Sequence, residues 1–139
     1  MYKEKLLHYA ATNEYVKPRA GASTAMIHGV EKELNCTFPP DLQSLLSETN
    51  GDSYLFFSTD EILETNTRTR TMMSECYEEL EKLLFFAGNG CGDYYCYKIL
   101  PSKQADPSLI YIWMHEDNEL GPVAHSLSEM IDRYFNNEI

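Results

Sequence analysis

The sequence predicts an α+β domain, an antiparallel-rich sheet flanked by N-terminal helices and closed by a C-terminal helix. Three observations carry that prediction. Apolar residues keep helical spacing as far as Leu46, and after Gly51 they change to short aromatic or alternating runs. A glycine-rich segment at 88–92 separates two strand-like stretches, the pattern of a hairpin. Ser126-Leu127-Ser128-Glu129 then opens a final periodic segment with the residues of a capping box. Helices, then strands, then one helix belong to the α+β class rather than to an alternating α/β chain.

Taken in order, residues 3–10 form a short amphipathic helix through Leu6, Leu7 and Ala10. Residues 18–23 are a loop, and Ser23 or Thr24 caps a helix over about 25–35 whose buried face is Ile27, Val30 and Leu34. Pro39 and Pro40 stop that helix, and a proline in the first turn of the next is tolerated because its missing N–H has no partner there. Leu42, Leu45 and Leu46 stripe this central helix, and Asn50-Gly51 supplies a left-handed stop. Residues 54–57 are short and aromatic and suit a strand. Ser58-Thr59-Asp60-Glu61 is another capping box, opening a short helix over Ile62 and Leu63. Residues 65–82 are polar and helix-tolerant, with Glu78 spaced to pair Lys82, but threonines at 67, 69 and 71 argue against one continuous helix. Residues 83–87 are a buried strand and 93–100 its hairpin partner, with Tyr95, Tyr97 and Ile99 on one face and Tyr94, Cys96 and Lys98 on the other. Residues 109–114 alternate again, 115–122 form an acidic turn, and 123–124 a brief strand. The last helix packs through Leu127, Met130, Ile131, Tyr134 and Phe135.

A chain of 139 residues buries about two-thirds of its unfolded surface as one domain, here 1–139 with a core of about 22–135. Its net charge of −11 is uneven: residues 1–70 hold 7 basic against 10 acidic side chains, residues 71–139 only 4 against 12. Such a surface repels phosphate backbones and disfavours nucleic acid, while a basic protein partner fits it. No apolar run approaches a membrane span, and the first residues lack the pattern of an export signal. Four cysteines without a C-x-x-C pair are expected to be free buried thiols in a reducing, cytoplasmic setting.

No motif reaches the context its chemistry needs. Gly88-x-Gly90-x-Gly92 has phosphate-loop spacing, but a strand-like Asp93-Tyr94-Tyr95 follows where a helix N-terminus is required. His115-Glu116-Asp117 is an exposed acidic turn rather than a metal or acid–base site, since His8, His28 and His125 add no ligand spacing. Glu75, Glu78, Glu79 and Glu81 fall on more than one helical face and form a solvated surface. There is no nucleophile elbow and no Cys–His signature. No catalytic residue, cofactor or metal is therefore expected. Aromatic residues concentrate in two neighbouring strands, as Tyr94, Tyr95, Tyr97, Tyr111 and Trp113. Packing claims the face under the final helix; the other face is a candidate interface, where Tyr and Trp serve as anchors. The candidate protein-binding residues are Asp93, Tyr95, Tyr97, Tyr111, Trp113, Glu116, Asp117 and Glu119.

Three pieces of the chain together resemble the SUKH superfamily, the Smi/Knr-like domain. They are Val30-Glu31-Lys32-Glu33-Leu34 leading to Phe38-Pro39-Pro40-Asp41-Leu42 and Asn50-Gly51; Phe86 through Tyr97 around the glycines; and Tyr111-Ile112-Trp113-Met114-His115-Glu116-Asp117 followed by Ala124-His125-Ser126-Leu127. Phe38 stands where the family usually has leucine before the proline. The resemblance implies an α+β sheet with flanking helices, no common catalytic motif, and action by binding. Bacterial members resemble immunity proteins that neutralise a cognate toxin, often a nuclease, in the producing cell. Eukaryotic members resemble interaction hubs in cell-wall regulation. An immunity protein against a basic toxin is the expectation. The alternatives are a small hydrolase or ligand-binding enzyme built on the 88–93 turn, or a regulatory adaptor without immunity function.

Overall fold

The computed structural model describes residues 1–77 and 79–139. Among them are five α-helices, α1 (Tyr2–Ala10), α2 (Thr24–Leu34), α3 (Pro40–Glu48), α4 (Thr59–Met72) and α5 (Leu127–Phe135), and four strands, β1 (Leu83–Gly88), β2 (Tyr94–Lys98), β3 (Ile110–Met114) and β4 (Glu119–Ala124). The strands form one antiparallel sheet in sequence order, β1-β2-β3-β4. The α+β class with flanking helices is as the sequence predicts.

The helix ends follow local chemistry. Ser23 accepts from the Met26 N–H, and Asn35 closes α2 at φ 53. Pro40 occupies the first turn of α3, whose Leu42, Leu45 and Leu46 are all buried. Ser58 and Glu61 make a reciprocal capping box at α4, and Ser126 caps α5. α5 buries Leu127, Met130 and Ile131 completely against the sheet, alongside Leu84, Phe86, Tyr95, Tyr97 and Ile110.

Three expectations need correction. Residues 54–57 are not a strand: the Asp52 carboxylate accepts the N–H groups of Tyr54, Leu55 and Phe56 at 2.8–3.0 Å, which bends the chain. Only a single bridge, Phe56 to Ala87, remains, with bonds from Phe57 N–H to Phe86 and from Gly88 N–H to Leu55. Next, α4 runs unbroken through Thr67, Thr69 and Thr71 to Met72, and Glu75, Glu79 and Glu81 lie beyond it in a turn and a 3₁₀ segment, Leu80–Lys82. The expected Glu78–Lys82 pair lies outside the described residues; Lys82 contacts Glu79 at 2.9 Å. Finally, the acidic turn is shorter than expected, because β4 already begins at Glu119. Pro122 fits within β4 because this strand is the sheet's edge, where a missing donor leaves no ladder gap.

α4 persists for a reason the hydrophobic pattern hides. Beyond Ile62 its inward face is polar: Thr65, Asn66 and Thr69 are buried. Asn66 donates to the Phe85 carbonyl at 2.8 Å and accepts from the Phe85 N–H at 2.9 Å, where β1 bulges. Arg70 donates to the Leu83 carbonyl at 2.9 Å. α4 and the 55–57 bend thus complete the outer edge of β1, so its backbone groups are paired rather than orphaned.

The sheet has apolar cover on both sides. The large core lies under the helices. On the far face Leu80, Leu83, Phe85, Cys96 and Trp113 make a second, smaller core, joined by Met73, Tyr77, Tyr94 and Tyr111. The expected burial of all thiols holds for Cys36 and Cys96, whereas Cys76 and Cys91 are exposed; all four are free. Among the described residues no helix is long and apolar enough to cross a membrane.

Candidate protein-binding site

Antiparallel order brings the β1–β2 turn and the β3–β4 turn to the same end of the sheet. That end carries Asp93, His115, Glu116, Asp117 and Glu119. The two turns are tied together: His115 Nδ1 lies 2.8 Å from Asp93 Oδ1, and the His115 N–H donates to the same oxygen at 3.2 Å. Asn89 donates to Asp93 Oδ2 at 3.3 Å. Gly92, at φ +96, lies against the imidazole, and a Cβ there would come within 2.9 Å of the ring. Tyr77 donates to the His115 carbonyl at 2.7 Å, and the Trp113 indole N–H donates to Asn118 at 2.7 Å. Burial by itself raises the Asp93 carboxyl, but hydrogen bonds from the His115 ring and backbone and from Asn89 outweigh it and leave it below the usual carboxylate range.

These contacts hold the two turns together beneath an acidic rim. Glu116, Asp117 and Glu119 are exposed, with the Asp117 carboxylate accepting the Glu119 N–H at 3.3 Å. The Asp93–His115 pair has the orientation of a general-base dyad, but among the described residues no hydroxyl or thiol hydrogen-bonds the imidazole from its other side. The glycine turn leads into β2, so it has no helix N-terminus to aim at a phosphate. No three His, Cys, Asp or Glu side chains converge as metal ligands among the described residues.

The aromatic expectation requires correction. Tyr95, Tyr97 and Trp113 are buried at 1%, 2% and 1% exposure. Tyr95 and Tyr97 belong to the core beneath the helices, and Trp113 packs with Phe85, Tyr94 and Tyr77 in the core on the far face. The reason is that the turn and 3₁₀ segment after α4 cover the face that the sequence leaves open. Tyr111 is half-buried toward the other end of β3, with the Lys98 ammonium 4.5 Å from its ring centre. The structure therefore groups Asp93 with the three exposed carboxylates at one end of the sheet, and it leaves Tyr95, Tyr97 and Trp113 buried rather than displayed as surface anchors.

A second feature of this end escapes the sequence. A cleft of about 430 Å³ opens on the helix side of the sheet, walled by Tyr9, Tyr54, Tyr95, Ile112, Tyr134 and Phe135. Asn89, which binds Asp93, lines it too, so cleft and acidic rim adjoin. Tyr9 stacks on Phe135 at 4.5 Å and Tyr54 on Phe135 at 6.1 Å, with interplanar angles of 13° and 24°. Its wall residues come from α1, the 52–56 bend, β2, β3 and α5. The only hint in the sequence is a total of 10 tyrosines.

Among known families, the model described as the SMI1/KNR4 family (SUKH-1) matches residues 21–133. That span takes in α2 through most of α5 and leaves out α1. No curated protein matches the chain.

Proposed function

The chain belongs to the SMI1/KNR4 (SUKH-1) family, and from that premise we propose that it is a protein-binding domain of the immunity type, which neutralises a cognate toxin with a basic surface. The family match over residues 21–133 carries the proposal. The acidic rim built from Asp93, Glu116, Asp117 and Glu119 supports it, because a nuclease toxin carries positive charge where it meets phosphate. An acidic inhibitor occupies that surface without reproducing the substrate atom by atom. Binding rather than catalysis is proposed, since the Asp93–His115 pair faces no nucleophile among the described residues.

The test uses the purified chain and any purified nuclease toxin found encoded beside its gene. Stoichiometric inhibition of nucleic-acid cleavage, with a stable one-to-one complex on size exclusion, is the expected result. Full cleavage in the presence of excess chain, with no complex, contradicts the immunity reading.

A further inference from the structure

We propose that the tyrosine-walled cleft beside the acidic rim is the receptor for an arginine side chain presented by a basic protein partner. The inference rests on the protein-binding reading above and names the group that this surface would capture. A volume of about 430 Å³ lies within the range of ligand-binding pockets. None of its lining side chains is charged, and no lysine, arginine or histidine is among them. Tyr9, Tyr54 and Tyr134 offer phenol oxygens as well as ring surface, and the buried Tyr95 ring closes the floor. Asn13, Asn89 and Asn137 bring carboxamides, of which the Asn13 and Asn89 oxygens also accept the Tyr15 and Cys91 N–H groups.

Carboxylates stand behind these walls. Tyr9 donates to Asp132 at 2.8 Å, although Lys5 already pairs that carboxylate at 2.6 Å. Asp93 lies close enough to Tyr95 that, together with burial as the larger cause, it pushes the phenol up to about 12. Asp52 is fully buried; one of its oxygens accepts three backbone N–H groups and the other has no partner among the described residues. Burial raises the Tyr134 phenol first, and Tyr54, Tyr95 and Asp52 add to the effect. The Tyr95 and Tyr134 phenols therefore stay neutral. Burial also raises the Asp52 carboxyl, so the negative charge behind the walls comes chiefly from Asp93 and Asp132, and it favours a cation and opposes an anion.

Guanidinium suits the walls better than ammonium. It is planar, lies flat on aromatic faces, and carries five donors for the dispersed phenol and carboxamide oxygens. The exposed carboxylates of the adjoining rim would draw a basic segment toward the cleft before its side chain enters.

The test is an NMR titration of the full chain with an end-blocked Gly-Gly-Arg-Gly-Gly peptide, and with its lysine and citrulline counterparts. Saturable shifts at the ring resonances of Tyr54, Tyr95 and Tyr134 are expected for arginine. Citrulline, which keeps the shape and loses the charge, should bind about tenfold or more weaker. Tyr54→Leu, at a ring that is 39% exposed, should weaken the arginine peptide to a similar degree while the thermal midpoint stays close to wild type. The citrulline comparison needs no variant and stands even if Tyr54→Leu unfolds. Equal binding of citrulline, equal binding of lysine, or shifts confined to residues 115–119 would overturn the assignment. A toxin complex that forms while the peptides fail removes the cleft and leaves the binding reading intact; peptide binding without any toxin complex does the reverse.

Discussion

Replacing Asn66 by alanine is the sharpest test of why this sheet has a finished edge. The side chain is fully buried and makes three hydrogen bonds, to the Ile62 carbonyl and to both backbone groups of Phe85. Alanine leaves the Phe85 N–H and C=O without partners in a buried setting. Each orphaned group costs about 1–3 kcal/mol, so about 2–6 kcal/mol is lost. Alanine's better helix propensity offsets only about 0.5 kcal/mol. Against a total stability of about 5–15 kcal/mol that is a large fraction. Urea denaturation should show a lower midpoint with an unchanged slope, because the change concerns stability and not the surface exposed. Thr67→Ala, one position along and exposed, is the control and should stay within about 0.5 kcal/mol of wild type. If Asn66→Ala matches that control, the pairing of α4 with the β1 edge is not what holds the bulge.

Three other outcomes follow from the packing and the charges. Trp113→Ala should cost about 3–5 kcal/mol in denaturation, since the ring is core; complex lifetime, measured on the folded fraction by surface plasmon resonance, should scarcely change. Phe135→Ala should cost about 2 kcal/mol, less than a fully buried ring, because Phe135 is half-buried and mainly stacks on Tyr9; a loss as large as that of Trp113→Ala in the same assay would contradict this. Asp93 has a folded pKa below its unfolded value, so its stabilising contribution is present above the ordinary carboxylate pKa of about 4 and is lost as pH falls through the folded value. Asp93→Asn should flatten that part of the acid-denaturation curve, and an unchanged acid limb would show that the His115 and Asn89 contacts are not felt.

The helices were legible because their signals are local. A capping serine with a glutamate three residues on, a proline pair, and leucines at i, i+3 and i+4 each act within one or two turns. α4 is only half legible: beyond Ile62 its buried face is threonine and asparagine, and Asn66 pairs with a strand backbone 19 residues away, which no periodicity announces. The 54–57 bend is not legible, because its aromatic composition suits a strand while the Asp52 carboxylate takes the N–H groups a strand would need. At the site, Glu116, Asp117 and Glu119 are readable from their closeness in sequence, whereas the pairing of Asp93 with His115 joins two turns 22 residues apart. The burial of Trp113 is not readable, because its cover comes from Tyr77 and Leu80 in a segment with no regular pattern. The cleft depends on five separated elements and becomes visible only when they meet.

The central claim is that the acidic end of the sheet recruits a basic protein partner. It is tested most directly by the association rate with the cognate toxin across ionic strength, wild type beside the Glu116→Lys, Asp117→Lys double variant. Both residues are exposed and hold no core contact, so the fold should survive the reversal. Complementary charge acts chiefly on encounter, and salt screens it over about 10 Å at 0.1 M. The account predicts a wild-type rate that falls steeply with added salt, and a variant that associates more slowly at low salt with a shallower dependence. A rate independent of salt, and equal in the two proteins, would contradict it.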